Sequence, residues 1–150
     1  ELQATNIRVQ DCPDLAILSD THRIVRSIEN LLSTRYPNLS IITTSENQNQ
    51  YDTILSHYNN NENDPRFDRD IKQLRRTKKV HFTIDTNAIK LSTIKSYKGL
   101  EAKNVVVIVE ENCNPATLYT GLTRAKNNLI IINLGNQIFD PFFRRYMPNN

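Results

Sequence analysis

Two stretches of the chain gather residue types that handle phosphate. The first reads Leu91-Ser-Thr-Ile-Lys-Ser-Tyr-Lys-Gly-Leu-Glu101, the second Leu118-Tyr-Thr-Gly-Leu-Thr-Arg-Ala-Lys126. In the first, Lys95 and Lys98 stand at the mouth of a β-rich run, Gly99 allows a sharp turn, and Glu101 presents a carboxylate. In the second, Arg124 ends a helical stretch, and a guanidinium can clamp phosphate oxygens bidentately without ever losing its proton. Such residues belong at the ends of strands, which is where open α/β sheets bind their ligands.

The elements that must hold these groups follow from local pattern. Leu15-Ala-Ile-Leu18 predicts a strand, with Ser19, Asp20 and Thr21 after it as helix-capping residues. Ile24, Val25, Ile28, Leu31 and Leu32 then form one apolar stripe at the helical period. Pro37 breaks that pattern, and the β-rich Leu39 to Thr43 predicts a second strand, making a parallel βαβ-type start. From about 45 to 79 the chain reads as a polar surface excursion with at most a short helix around Asp52 to Tyr58. Val80 to Ile84 alternates like a half-buried strand, and Lys90 to Ile94 begins another. Asn104 to Glu110, with Val-Val-Val-Ile-Val at its centre, predicts a strand covered on both faces, the habit of parallel sheets. Asn114-Pro115 is a helix start, with Asn as the cap and Pro where a missing N–H costs nothing. That helix is expected to reach about Ala125, with Leu118, Gly121, Leu122 and Ala125 inward and Thr120 beside Arg124. Leu129 to Ile132 supplies the last strand. Alternating strands and helices predict a single α/β domain over residues 1–150, a mostly parallel open sheet flanked by helices.

Composition narrows the function further. With 19 Lys plus Arg against 16 Asp plus Glu in 150 residues, the formal charge is +3, enough for phosphate contacts but not for binding nucleic acid by field alone. The three glycines, Gly99, Gly121 and Gly135, are widely separated, so neither the phosphate loop G-x-x-x-x-G-K-[ST] nor the fingerprint G-x-G-x-x-G is present. Any nucleotide is therefore met by side chains, as the second half of a site. Cys12 and Cys113 have no metal-ligand spacing and fit reduced thiols in a cytoplasmic protein; no metal site is expected. No apolar run approaches the ~20 residues that span a bilayer. A chain beginning at Glu1 without a leader pattern reads as a piece of something longer.

In order and spacing the two phosphate-type stretches resemble motifs V and VI of superfamily 1 helicases of the UvrD/Rep and RecD-like kind. Those motifs read roughly T-x-H-x-x-K-G-L-E and L-Y-V-A-x-T-R-A. The stretch from Leu15 to Leu32 is similar to the start of the family's second RecA-like motor domain. The resemblance implies the C-terminal RecA-like domain of an ATP-dependent DNA helicase, whose partner is the N-terminal RecA-like domain of the same parent chain. ATP would lie between the two, with Mg2+ held by the N-terminal domain. It further implies that Arg124 is an arginine finger on the γ-phosphate, that Gly99 and Glu101 lie on the nucleotide side, and that Thr93 touches the backbone of a single strand, read as DNA. Lys95 stands where many members have His, which keeps a donor and adds charge; Lys98 is the Lys before Gly-Leu-Glu. His22 stands where those members often carry Asn beside the strand, and Gly121 replaces a small Ala or Val.

Each of these residues has a plainer use. Arg124 can serve as a cation at a helix C-terminus, Glu101 as a solvated turn residue, Lys95 and Lys98 as strand-end charges, and Thr93 as a β-former. Arg75, Arg76, Lys78 and Lys79 are read as a solvated face before a phosphate track. Tyr97 and Tyr119 can stack on bases, with core packing the readier use for Tyr119. His57 and His81 have no acid or nucleophile at catalytic spacing. The tail Phe139, Phe142, Phe143 and Tyr146 either closes the core or marks a docking face. The alternative function is a non-catalytic nucleic-acid-binding or protein-docking module that keeps the helicase fold. A receiver-type domain is disfavoured because no acidic pocket follows the first strand.

Overall fold

The computed structural model describes residues 14–82 and 87–146. Strands β1 (Leu15–Ser19), β2 (Ile41–Thr43), β3 (Ile89–Thr93), β4 (Ala102–Glu110) and β5 (Ala125–Leu134) make one sheet in the order β2-β3-β1-β4-β5. Every neighbouring pair is parallel. Helices α1 (His22–Arg35), α2 (Gln48–Ser56), α3 (Pro65–Val80), α4 (Pro115–Leu122) and α5 (Asp140–Tyr146) connect or follow the strands. The expected α/β class is thus realised, with the sheet parallel throughout.

Alternation along the strands divides the core in two. On one face Ala16, Leu18, Val105, Val107 and Val109 pack with Leu118 of α4 and Phe143 of α5. On the other, Val25, Ile28 and Leu32 of α1 cover Ile17, Ile89 and Leu91. Of the apolar stripe read in the sequence, Val25, Ile28 and Leu32 are thus the face that α1 buries, whereas Leu31 is 61% exposed, and Thr21 caps the helix by accepting from the Ile24 N–H. α1 and α4 lie on opposite faces because β1 to β2 and β4 to β5 step in opposite directions along the sheet. Right-handed crossovers demand that arrangement.

Three expectations are corrected. The excursion at 45–79 is two helices rather than a loop. α2 opens with a capping box between Asn47 and Gln50, and α3 opens on Asp64-Pro65, the same device as Asn114-Pro115. Their polar composition reflects a shared surface position: Phe67 of α3 packs edge-on against Tyr51 and Tyr58, centroids 5.4 and 6.4 Å away. Second, Val80 ends α3 and His81 caps it, so the strand expected at Val80 to Ile84 is not formed at its start; Thr83 and Ile84 lie outside the described residues. A two-residue alternation does not outweigh a 16-residue helix. Third, α4 stops at Leu122 and Ala125 already belongs to β5, which extends beyond Leu129 to Ile132 in both directions. The tail closes the core through Phe143 and Phe139, while Phe142 is half exposed.

Candidate functional site

β4 and β5 start in register, Ala102 opposite Ala125, so the residues just before them, Glu101 and Arg124, are brought side by side. The Ala102 N–H donates to the Arg124 carbonyl at 3.1 Å. The Arg124 guanidinium donates from Nε to the Thr120 carbonyl (2.9 Å), from Nη1 to the Leu100 carbonyl (3.4 Å) and from Nη2 to Thr123 Oγ1 (3.0 Å). All three acceptors are neutral. Among the described residues no carboxylate pairs with Arg124, so its charge is positioned but not neutralised. Glu101 instead meets Lys126, Oε2 to Nζ 3.3 Å, an exposed pair worth little by itself. Gly99 has φ +88° and nothing within 4 Å of where a Cβ would sit, so backbone conformation and not space requires glycine there.

Thr93 and Lys95 lie at the opposite edge, where β3 ends beside Ser19 of β1. Thr93 is buried; its carbonyl accepts from the Tyr97 N–H at 3.0 Å and its Oγ1 from the Ser96 N–H at 3.2 Å. The hydroxyl therefore shapes the turn that leaves Lys95 and Lys98 exposed. The six site residues fall into two groups: Thr93 and Lys95 at the carboxyl end of β3, and Gly99, Glu101 and Arg124 at the amino ends of β4 and β5. Lys98 sits on the connection between them.

Tyr97 joins the groups and corrects one reading. It is 0% exposed, edge-on to Phe82, and its hydroxyl donates to the Glu101 carbonyl at 3.3 Å, so it is a strut and not a base-stacking platform. Burial pushes its phenol up to about 12. Tyr119, for which core packing was the readier use, is 70% exposed on α4. The helix is buried through Leu118 and Gly121, which turns Tyr119 outward.

Ionic anchors that local sequence does not reveal set the frame. At the amino edge, Asp14 accepts from Lys90 Nζ at 3.0 Å and from the Lys103 N–H at 2.8 Å, tying β3 and β4 across β1. Burial opposes the charge on Asp14, but these hydrogen bonds and the two lysine charges hold its carboxyl below the usual range. At the other edge Glu46 is fully buried between Arg26 of α1 and Arg75 of α3, the latter donating at 2.6 and 2.8 Å. Burial again opposes ionisation, and the Arg75 hydrogen bonds with the Arg75 and Arg26 charges overcome it. Arg26 also stacks 3.9 Å over Tyr51. Arg75 is thus committed to Glu46, leaving Arg76 and Lys79 of the basic cluster exposed. Glu110 accepts from Ser19 Oγ, Thr21 N and Thr21 Oγ1 at 2.9 to 3.0 Å, bolting the start of α1 to the end of β4. His22 lies 2.7 Å from Ser45 Oγ through Nδ1, and burial with the nearby Arg75 charge pushes it down to about 4. These partners stand 20 to 91 positions apart, beyond any local motif.

Among the described residues no group of three or more His, Cys, Asp or Glu is placed to hold a metal ion. Cys113 is buried, and burial pushes its thiol up to about 11. No described helix is long and apolar enough to cross a membrane.

Fold and site together describe an α/β domain with an uncompensated arginine at one sheet edge and lysines near the other. Residues 89–132, which contain both groups, match the family model of the UvrD-like helicase C-terminal domain. A crystal structure of the C-terminal part of the Fun30 ATPase domain is similar over 81% of this chain and 36% of that one, at 16% identity and a TM-score of 0.42. No curated protein matches the chain.

Proposed function

We propose that this domain is the second motor domain of an ATP-dependent superfamily 1 DNA helicase. The observation that carries the reading is Arg124: a guanidinium held by neutral acceptors beside the Gly99 to Glu101 turn, inside the segment that matches the helicase family. A positioned cation without a carboxylate suits charge that develops on a departing phosphoryl group. In this reading ATP is bound mainly by an N-terminal RecA-like domain of the same parent chain, which holds the phosphate loop and the Mg2+. Arg124 enters the shared cleft as the arginine finger, with Gly99 and Glu101 on the same side. Lys95 and Lys98 give charge to the single-strand track, and Thr93 holds the turn that presents Lys95. Tyr97, bonded to the Glu101 carbonyl and buried beneath the turn, couples the strand side to the nucleotide side. Closure on ATP and release after hydrolysis would alternate the grip on the strand.

The test is strand-stimulated ATP hydrolysis by the full-length parent, wild type beside Arg124→Ala. Turnover is expected to fall ~1,000-fold or more while nucleotide affinity changes little. Unchanged turnover would overturn the finger. A second reading, a non-catalytic binding or docking module, draws on the Thr120 carbonyl bond, which makes Arg124 a cap for α4. A wild-type parent without stimulated hydrolysis would favour it.

A further inference from the structure

α3 holds more net positive charge than the whole chain. Over Pro65–Val80 seven Lys or Arg stand against two Asp, a local charge of +5 where the chain has +3, so the remaining residues together are net negative. Helix geometry sorts these side chains. Phe67, Ile71, Leu74, Arg75 and Lys78 are buried or half-buried and share the inner face, where Arg75 is bonded to Glu46. Arg69, Lys72, Arg76 and Lys79 are exposed and recur at i, i+3, i+7 and i+10, which keeps them within an arc of about 80°. Arg69 and Lys72 meet Asp70 and Asp68 in exposed pairs that hold them weakly. Arg76 and Lys79 have no carboxylate partner among the described residues, and the sequence from 71 to 84 has no Asp or Glu.

The chemistry of this stripe selects its partner. Phe67, the one aromatic of α3, is buried, and the one large apolar side chain exposed on the helix is Val80 at its last position. Protein interfaces centre on aromatic and apolar anchors, and single-strand sites stack bases on aromatic rings. A row of cations alone reads phosphate and leaves bases untouched, which suits a duplex whose bases are stacked inside. From Arg69 to Lys79 the helix rises about 15 Å, a length that meets about four phosphates of one duplex strand at ~3.4 Å each. That is one phosphate for each cation of the stripe. Arg75 pins α3 to Glu46, and two residues before Glu46 the Thr44 hydroxyl lies 2.8 Å from that of Ser92, the neighbour of Thr93 in β3. The helix is thus anchored at the carboxyl edge that carries Thr93 and Lys95. We propose that the outer face of α3, through Arg69, Lys72, Arg76 and Lys79, binds the phosphate backbone of duplex DNA beside the single-strand track. The inference rests on the nucleic-acid reading of the domain given above, and on neither Arg124 nor hydrolysis.

The experiment is equilibrium binding by the full-length parent, without ATP, to a fluorescent blunt DNA duplex and to one of its strands alone, between ~50 and ~200 mM salt. Arg76→Ala with Lys79→Ala is expected to lower the duplex salt slope by about two, so that the wild type loses about tenfold more duplex affinity over that range than the variant does. Single-strand affinity should stay nearly as it was. An unchanged duplex slope, or an equal loss on the single strand, would overturn the proposal. Asp68→Asn frees Lys72 and should tighten duplex binding, which keeps the test decisive even if the double variant folds poorly; unchanged or weaker duplex binding would count against the stripe. A parent that binds the single strand and no duplex removes this role for α3 and leaves the motor reading standing. A parent that binds neither removes the nucleic-acid reading itself, so the two failures are distinguishable.

Discussion

At the scale of single residues, the sharpest expectations concern charges held in place by partners of known kind. Arg124 is the case for chemistry: Arg124→Lys keeps a positive charge but loses the fork that bonds Thr120 and Leu100, so it should restore little of the turnover lost in Arg124→Ala. Steady-state hydrolysis with both variants checks this, and full rescue by lysine would show that only charge matters. Lys95 is the case for binding. Lys95→Ala in the parent should weaken single-strand binding uniformly across sequences and reduce the salt slope by about one. A titration at several salt concentrations measures it, and an unchanged slope would remove Lys95 from the track. Glu46 is the case for stability, since Glu46→Ala leaves Arg26 and Arg75 facing each other without a buried counter-charge. A loss of ~3–5 kcal/mol in urea unfolding is expected.

At the scale of elements, the helices respond to packing and to pH. Gly121 lets α4 approach the sheet, and a Cβ there would stand 3.0 Å from Ile94 Cδ1 and 3.2 Å from Cγ1. Gly121→Val should therefore cost ~1–3 kcal/mol through overpacking, measured as a shift in the urea midpoint. The first turn of α1 carries a pH dependence through His22, whose folded pKa is pushed down to about 4 from 6.5. A lowered histidine pKa means that the unfolded chain takes up a proton the folded one refuses. Its stability contribution is thus complete above about pH 6.5 and is lost as the pH falls towards 4. Glu46 acts with the same sign at lower pH, its lowered pKa contributing stability above 4.5 that is lost in acid. His22→Asn should flatten the upper part of that slope and leave the lower part, as read from urea midpoints between pH 4 and 7. The elements themselves were legible wherever a local device announced them. The stripe from Ile24 to Leu32, the Val-Val-Val-Ile-Val strand and the Asn114-Pro115 start each needed no distant partner. α2 and α3 were obscured by their polar composition, although Phe67, Ile71 and Leu74 of α3 recur at i, i+4 and i+7 and the first two are buried.

At the scale of the whole molecule, the parallel sheet holds the two groups of candidate residues at its two ends. The residues resembling motif V run from the carboxyl end of β3 to the amino end of β4, so one short connection touches both, with Tyr97 buried beneath it. Tyr97→Phe removes the hydroxyl bond to Glu101 while keeping the ring. It should lower the strand stimulation of hydrolysis in the parent more than it lowers basal hydrolysis or stability. Equal effects on all three would make Tyr97 a packing residue only. By itself, the sequence determined the α/β class, the absence of a phosphate loop, most strand positions and the two phosphate-type stretches. These properties are carried by residues a few positions apart, where backbone preference and period decide. Tertiary structure alone decided which edge each site residue occupies, the outward turn of Tyr119, the burial of Tyr97, and the anchors Asp14–Lys90, Glu46 with its two arginines, and Glu110. The physical reason is that a parallel sheet pairs residues across crossover connections. An ion pair then becomes favourable only once segments 20 to 76 positions apart have been packed into the same low-dielectric edge.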